Sequence, residues 1–190
     1  TGFAAAKAVT LLVFGEFEKL KDEQKLLHEG VRGFVVRIIY TQDLISAAFG
    51  SGIYMTAQVM TFAFEKTNLS SKPFAKTVFE AFKLGFMIEG SISKSFTEGL
   101  IWGGARYGAA KTVSLLFKQA MMSRYNLKTD EDYNKYLNSY SKHLDSEIVD
   151  AFIAGFMRGF ILNANPISAL SNALINVTAT KIVKMCKDKL

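Results

Sequence analysis

The chain has 190 residues, 49% of them hydrophobic and 21% charged, with 14 Gly, 2 Pro and 16 Phe, a composition that excludes a disordered chain, a collagen-like chain and a disulfide scaffold. A chain of this length can bury a core without a metal, and the single Cys186 has no partner for an internal disulfide. Lys plus Arg number 23 against 17 Asp plus Glu, a formal charge of +6 that by itself suits nucleic acid, anionic lipid or neither. Its distribution argues against nucleic acid. Opposite charges mix in Glu16 to Arg32 and in Arg124 to Asp150, and the aromatic residues sit inside apolar runs rather than among exposed basic ones. Lys181, Lys184, Lys187 and Lys189 crowd the last residues, as a juxtamembrane anchor would.

Taken in chain order, the hydrophobic pattern is helical throughout. Ala4 to Leu20 reads as an amphipathic start. Three helical pairs follow: Val31 to Tyr40 with Leu44 to Phe64, Phe74 to Ser93 with Thr97 to Met122, and Glu147 to Leu162 with Pro166 to Lys184. Pro166 sets the break in the last pair, because proline removes a helical donor and restricts the residue before it. A polar link, Arg124 to Asp145, separates the second pair from the third. Leu44 to Phe64 and Gly159 to Thr180 carry no charge, and either is long enough to cross a bilayer as a helix. The expected fold is all-α, a multi-helix transmembrane bundle built of αα-hairpins.

The pairs look like copies of one unit. Gly33-Phe34, Gly85-Phe86 and Gly155-Phe156 each lie in a first helix, and Gly50, Gly103 and Ala173 follow at nearly constant spacing early in each second helix. Glycine inside a helix costs about 0.8 to 1 kcal/mol relative to Ala, so its frequency here asks for a compensating contact. Gly99 with Gly103, Gly104 with Gly108 and Gly155 with Gly159 make GxxxG ridges that let helices approach closely in lipid; Gly85 extends the small-residue pattern. Charges within the same apolar helices then become candidate lipid-headgroup or groove residues: Glu89, Arg106, Lys111 and Arg158.

Catalytic chemistry has little to stand on. His28 and His143 both fall in polar stretches and read as solvated. Gly104 to Thr112 has the glycines and lysine of a phosphate loop, but two alanines stand between Gly108 and Lys111, where the lysine must follow the glycine directly. Neither a nucleophile elbow nor a zinc-protease or dinucleotide pattern occurs, so the expectation is a protein that is not an enzyme and needs no cofactor.

Two passages resemble the four-helix mitochondrial inner-membrane translocase family, the Tim family, which also includes an accessory subunit of respiratory complex I. One is Asp150 to Leu162 with its GxxxG face, followed by Pro166 and Ala173. The other is Gly99-Leu-Ile-Trp102-Gly103-Gly104, continuing through Arg124 to Asp130-Glu131-Asp132 and Asn134. The likeness runs from about Phe74 to Lys184 and departs from the family in its longer link before Asp150 and in the Asn residues after Leu162. It implies a membrane domain over residues 73–190, with residues 1–72 as a helical extension, in a mitochondrial inner-membrane protein. The packing residues would be Gly85, Gly99, Gly103, Gly104, Gly108, Gly155, Gly159 and Pro166. The implied role is a non-catalytic accessory subunit of a respiratory complex, with other membrane subunits and the bilayer as partners and cardiolipin as a lipid at the basic residues. The alternatives are a protein-translocase channel subunit and a pore-forming or soluble helical effector.

Overall fold

The computed structural model describes residues 2–187, and all regular structure among them is helical. Of the terminal lysines, Lys189 lies outside the described residues.

Each helix end has a local cause. α1 (Gly2–Phe14) stops at Gly15, whose φ of +78° is a left-handed conformation open to a residue without Cβ, and one 3-10 turn, Phe17–Lys19, follows. That glycine breaks the helix expected over Ala4 to Leu20. α2 (Asp22–Thr41) begins well before Val31, because Asp22 and Glu23 favour a first turn and Gln24 accepts a hydrogen bond from the Lys21 amide at 3.0 Å. α3 (Leu44–Glu65) opens on Asp43, whose carboxylate accepts from the Ile45 and Ser46 amides at 3.2 and 2.9 Å. α4 (Pro73–Ser93) opens on a proline. The single helix expected over Thr97 to Met122 is instead α5 (Phe96–Gly103), a π-helical turn at Gly104–Gly108, and α6 (Ala109–Arg124). Inside the polar link lies α7 (Asp130–Tyr140), where Thr129 and Asp132 cap each other's amides at 3.1 and 3.0 Å. α8 (Ser146–Asn163) starts on the Asp145 carboxylate, and α9 (Pro166–Lys187) on Pro166, with Asn165 accepting from the Ile167 amide.

The three small-residue pairs meet in space. A Cβ built on Gly33 would lie 2.5 Å from the Gly50 carbonyl oxygen, one on Gly103 would lie 2.6 Å from the Gly85 carbonyl carbon, and one on Gly155 would lie 2.8 Å from the Ala173 Cα. Real Cβ atoms do not approach backbone so closely, so these positions hold the helices of α2/α3, α4/α5 and α8/α9 together. The structure also extends the repeat. Every one of these hairpins turns on a non-glycine residue in left-handed conformation, Gln42, Lys94 and Ala164, each followed by a capping side chain, Asp43, Ser95 and Asn165. The turns and the glycines keep the same order in all three copies.

The chain forms two compact units, Thr1–Gly104 and Ala105–Leu190, so α4 and α5 belong with the N-terminal helices and the boundary expected at residue 72 falls inside a unit. In the first unit α1 packs on α2, and α3 packs on both α2 and α4, around Ile53, Tyr54, Ala57 and Phe86. Phe49, Met60 and Met87 cover that cluster. In the second unit α6, α7 and α9 pack on α8. Its buried residues are mostly small, Ala110, Ser114, Ala169 and Ala173, with Tyr133, Leu137 and Ile148 beside them.

Beside this apolar core, burial is mixed. Small or polar side chains, among them Thr10, Ser46, Gln58, Ser91 and Ser114, also occupy the interior, whereas many large apolar ones face out: Leu12 is 86% exposed, Ile45 79% and Ile167 77%. No described helix is long and apolar enough to cross a membrane. The all-α fold is as expected, whereas the expected membrane-crossing helices, including those over Leu44 to Phe64 and Gly159 to Thr180, are not found among the described residues. Ser46 and Ser114 turn into helix contacts, Gln58 lines a cavity, and Lys83, Glu89, Lys111, Asp150 and Arg158 interrupt the apolar runs.

Candidate functional site

Polar recesses occur in both units, among them one of about 410 Å³ in the second unit lined by Lys142, His143, Asp145, Lys181 and Lys184. In the second unit, α6, α8 and α9 border a groove of about 430 Å³. Lys111 reaches the Asp150 carboxylate at 3.2 Å, and the Ser114 hydroxyl donates to the other carboxylate oxygen. Arg158 donates from Nε to the Ala154 carbonyl at 3.1 Å, and its guanidinium lies 5.0 Å from the centre of the Tyr107 ring. Asn176 donates to the Ala151 carbonyl at 3.3 Å, a hydrogen bond across the α8/α9 contact. Lys111 and Arg158, two of the candidate headgroup residues, thus come to one groove, but Lys111 is engaged by Asp150, and Glu147 also lines the groove. Burial, with the charge of Asp150 adding to it, pushes the Tyr133 hydroxyl above the ordinary tyrosine value.

The other sequence-predicted residues serve different ends. Glu89 on α4 and Arg106 in the π turn are half-buried and each is engaged by neighbouring groups. Gly99 packs against Gly90, Gly103 against Gly85 and Phe86, and Gly155 and Gly159 against Ala173 and Ala169. Gly104 and Gly108 do not act as a ridge: they bound the π turn, and a Cβ on Gly104 would make only ordinary contact with Phe82, at 3.5 Å. Pro166 is the first residue of α9, as its position predicts.

The first unit holds a recess that the sequence reading missed. Thr10 and Lys7 of α1, His28, Glu29 and Arg32 of α2, Tyr54 and Gln58 of α3 and Lys83 of α4 line a cavity of about 440 Å³. His28 is only 8% exposed, which corrects its reading as a solvated residue. Phe14 and Phe17 meet its ring edge-on at 5.9 and 4.8 Å between centroids, and Nδ1 lies 3.2 Å from the Glu29 carboxylate. The break at Gly15 allows this, because it folds Phe17 back over α2. A signal existed in the sequence: His28, Glu29 and Arg32 fall on one face at helical spacing, but that face was legible as buried only once α2 was known to start at Asp22. His143 is exposed. Among the described residues no group of three His, Cys, Asp or Glu side chains is arranged to hold a metal ion.

Comparison with family models, with curated proteins and with solved structures gives no match to the chain.

Proposed function

We propose that this protein is a non-catalytic structural subunit of a membrane-bound assembly, its hairpins embedded among lipid and partner subunits. The observation that carries the reading is the extent of exposed large apolar side chains. Leu12, Ile45, Ile92 and Ile167 point outward while Ser46, Gln58 and Ser114 point inward, an arrangement that water penalises and that lipid or an apolar partner surface accommodates. The reading asks no helix to cross alone. Glycine-close hairpins bring polar side chains against each other, and neighbouring subunits cover what remains. The similarity of Gly99 to Gly104 and of Asp150 to Leu162 to the inner-membrane translocase family supports the mitochondrial inner membrane as the location and a respiratory assembly as the host. Arg158, held between the Ala154 carbonyl and Tyr107, is the better of the groove cations for a cardiolipin phosphate, since Lys111 already has a carboxylate.

Alkaline carbonate extraction of membranes from the native cell, followed by blue-native electrophoresis of a mild-detergent extract, tests this reading. Retention in the pellet and migration in a large complex are expected. Release as a free monomer would overturn the proposal and favour a soluble helical effector.

A further inference from the structure

The cavity of the first unit presents polar side chains that the protein leaves unbonded. Gln58 and Tyr54 stand one helical turn apart on α3, 9% and 5% exposed, and both line the cavity. Among the described residues, neither the Gln58 amide nor the Tyr54 hydroxyl has a hydrogen-bond partner. Both side chains open onto the cavity, so an occupant there can take hydrogen bonds that no group of the protein takes.

Charge narrows the occupant. Arg32 lies 3.3 Å from Glu29, and Lys83 lies 2.8 Å from Glu80, so two of the three cations at the cavity have internal carboxylates. Lys7 forms no ion pair with a described residue. One uncompensated cation matches one negative charge. Leu11, Phe17, Ala57 and Met87 supply an apolar wall beside these polar groups. The volume, about 440 Å³, lies within the range of small-molecule pockets.

We propose that this cavity binds an apolar monocarboxylate, its carboxylate taken by Lys7 and by the Gln58 amide and Tyr54 hydroxyl, and its hydrocarbon lying along Leu11, Phe17 and Met87. A carboxylate has acceptor positions for several donors, and charge-assisted bonds of this kind are the stronger ones. The site stands apart from the role in an assembly and does not depend on it.

The test is isothermal titration of the full chain, held in amphipol, with hexanoate, and with hexanol and hexylammonium as controls of equal chain length. Saturable one-to-one binding of hexanoate is expected, with neither control binding. Lys7→Met, at an exposed position on α1, and Gln58→Leu, which removes the unbonded amide while keeping an apolar shape, should each weaken hexanoate about tenfold or more without lowering the melting temperature. Absence of hexanoate binding, or equal binding by wild type and Lys7→Met, would overturn the proposal. Hexyl phosphate binding tenfold tighter than hexanoate would overturn the carboxylate assignment in favour of a phosphate.

Discussion

The α4/α5 and α8/α9 hairpins share one backbone device and fill it differently. In α4/α5 the glycine contacts are sealed by large apolar groups: the Phe86 side chain lies on Gly99, and the Ile53 side chain of α3 lies on Gly90. In α8/α9 the seal is polar. The Asn172 side chain covers Gly159, and the Asn176 side chain covers Gly155 and donates from α9 to the Ala151 carbonyl of α8. The comparison teaches that small residues fix the distance between helices, whereas the neighbouring side chains decide whether the seam is dry or hydrogen-bonded. Apolar atoms can close a seam in either medium; a hydrogen bond across it gains most where water is scarce.

The largest effect comes from closing the distance itself. Gly103→Val and Gly155→Val each drive a side chain into backbone that cannot yield, and each should destabilise its own hairpin by about 3 kcal/mol or more, read by chemical denaturation of the full chain. Gly104→Ala sharpens the point. It replaces the neighbouring glycine of the same sequence motif, where a Cβ meets only the Phe82 ring at ordinary contact, and should change stability by less than about 0.5 kcal/mol.

Next in size are the turns. Lys94→Gly and Ala164→Gly relieve a left-handed conformation with φ of 53° and 47° and should each stabilise the protein by about 1 kcal/mol, seen as a raised denaturation midpoint. A loss of stability in either would show that the side chain at the turn contributes more than its backbone strain costs.

The smallest effect is a matter of pH. Burial alone would raise the Asp145 carboxyl, but the hydrogen bond from Lys184 and the amides of Ile148 and Glu147 outweigh it and hold the carboxyl below the ordinary aspartate range. Asp132 is held low as well, by the Thr129 hydroxyl and amide. A carboxyl depressed in the folded state adds stability that is present above its unfolded value, near 3.9, and is lost as pH falls through the lower folded value. Asp145→Asn keeps a capping oxygen for α8 and loses the pairing with Lys184. It should cost about 0.5 kcal/mol at pH 7, and the difference from wild type should vanish as pH approaches about 2, followed by circular dichroism.

Much of this fold could be read from the sequence, because the bounds of α3, α4, α8 and α9 fall within a few residues of where the helical hydrophobic pattern and Pro166 place them. The glycine pairing was legible for the same reason: constant spacing between Gly85 and Gly103 and between Gly155 and Ala173 reflects one hairpin geometry. What stayed hidden depended on contacts far apart in the chain. Nothing local to His28 says that Phe14 and Phe17 fold over it, or that Gln58 on the next helix faces the same space. The π turn was hidden too, since Gly104 and Gly108 at GxxxG spacing read as a packing ridge before their backbone was known.

The central claim is that the large apolar side chains pointing outward are covered in the native setting. In a Cys186→Ser background, single cysteines at Leu12, Ile45, Ile92 and Ile167 can be challenged in intact membranes with a membrane-impermeant maleimide, with cysteine at exposed Lys142 as the reference position. The account predicts that the four apolar positions resist labelling until detergent is added while position 142 reacts throughout. Equal labelling at all five positions before detergent would contradict it.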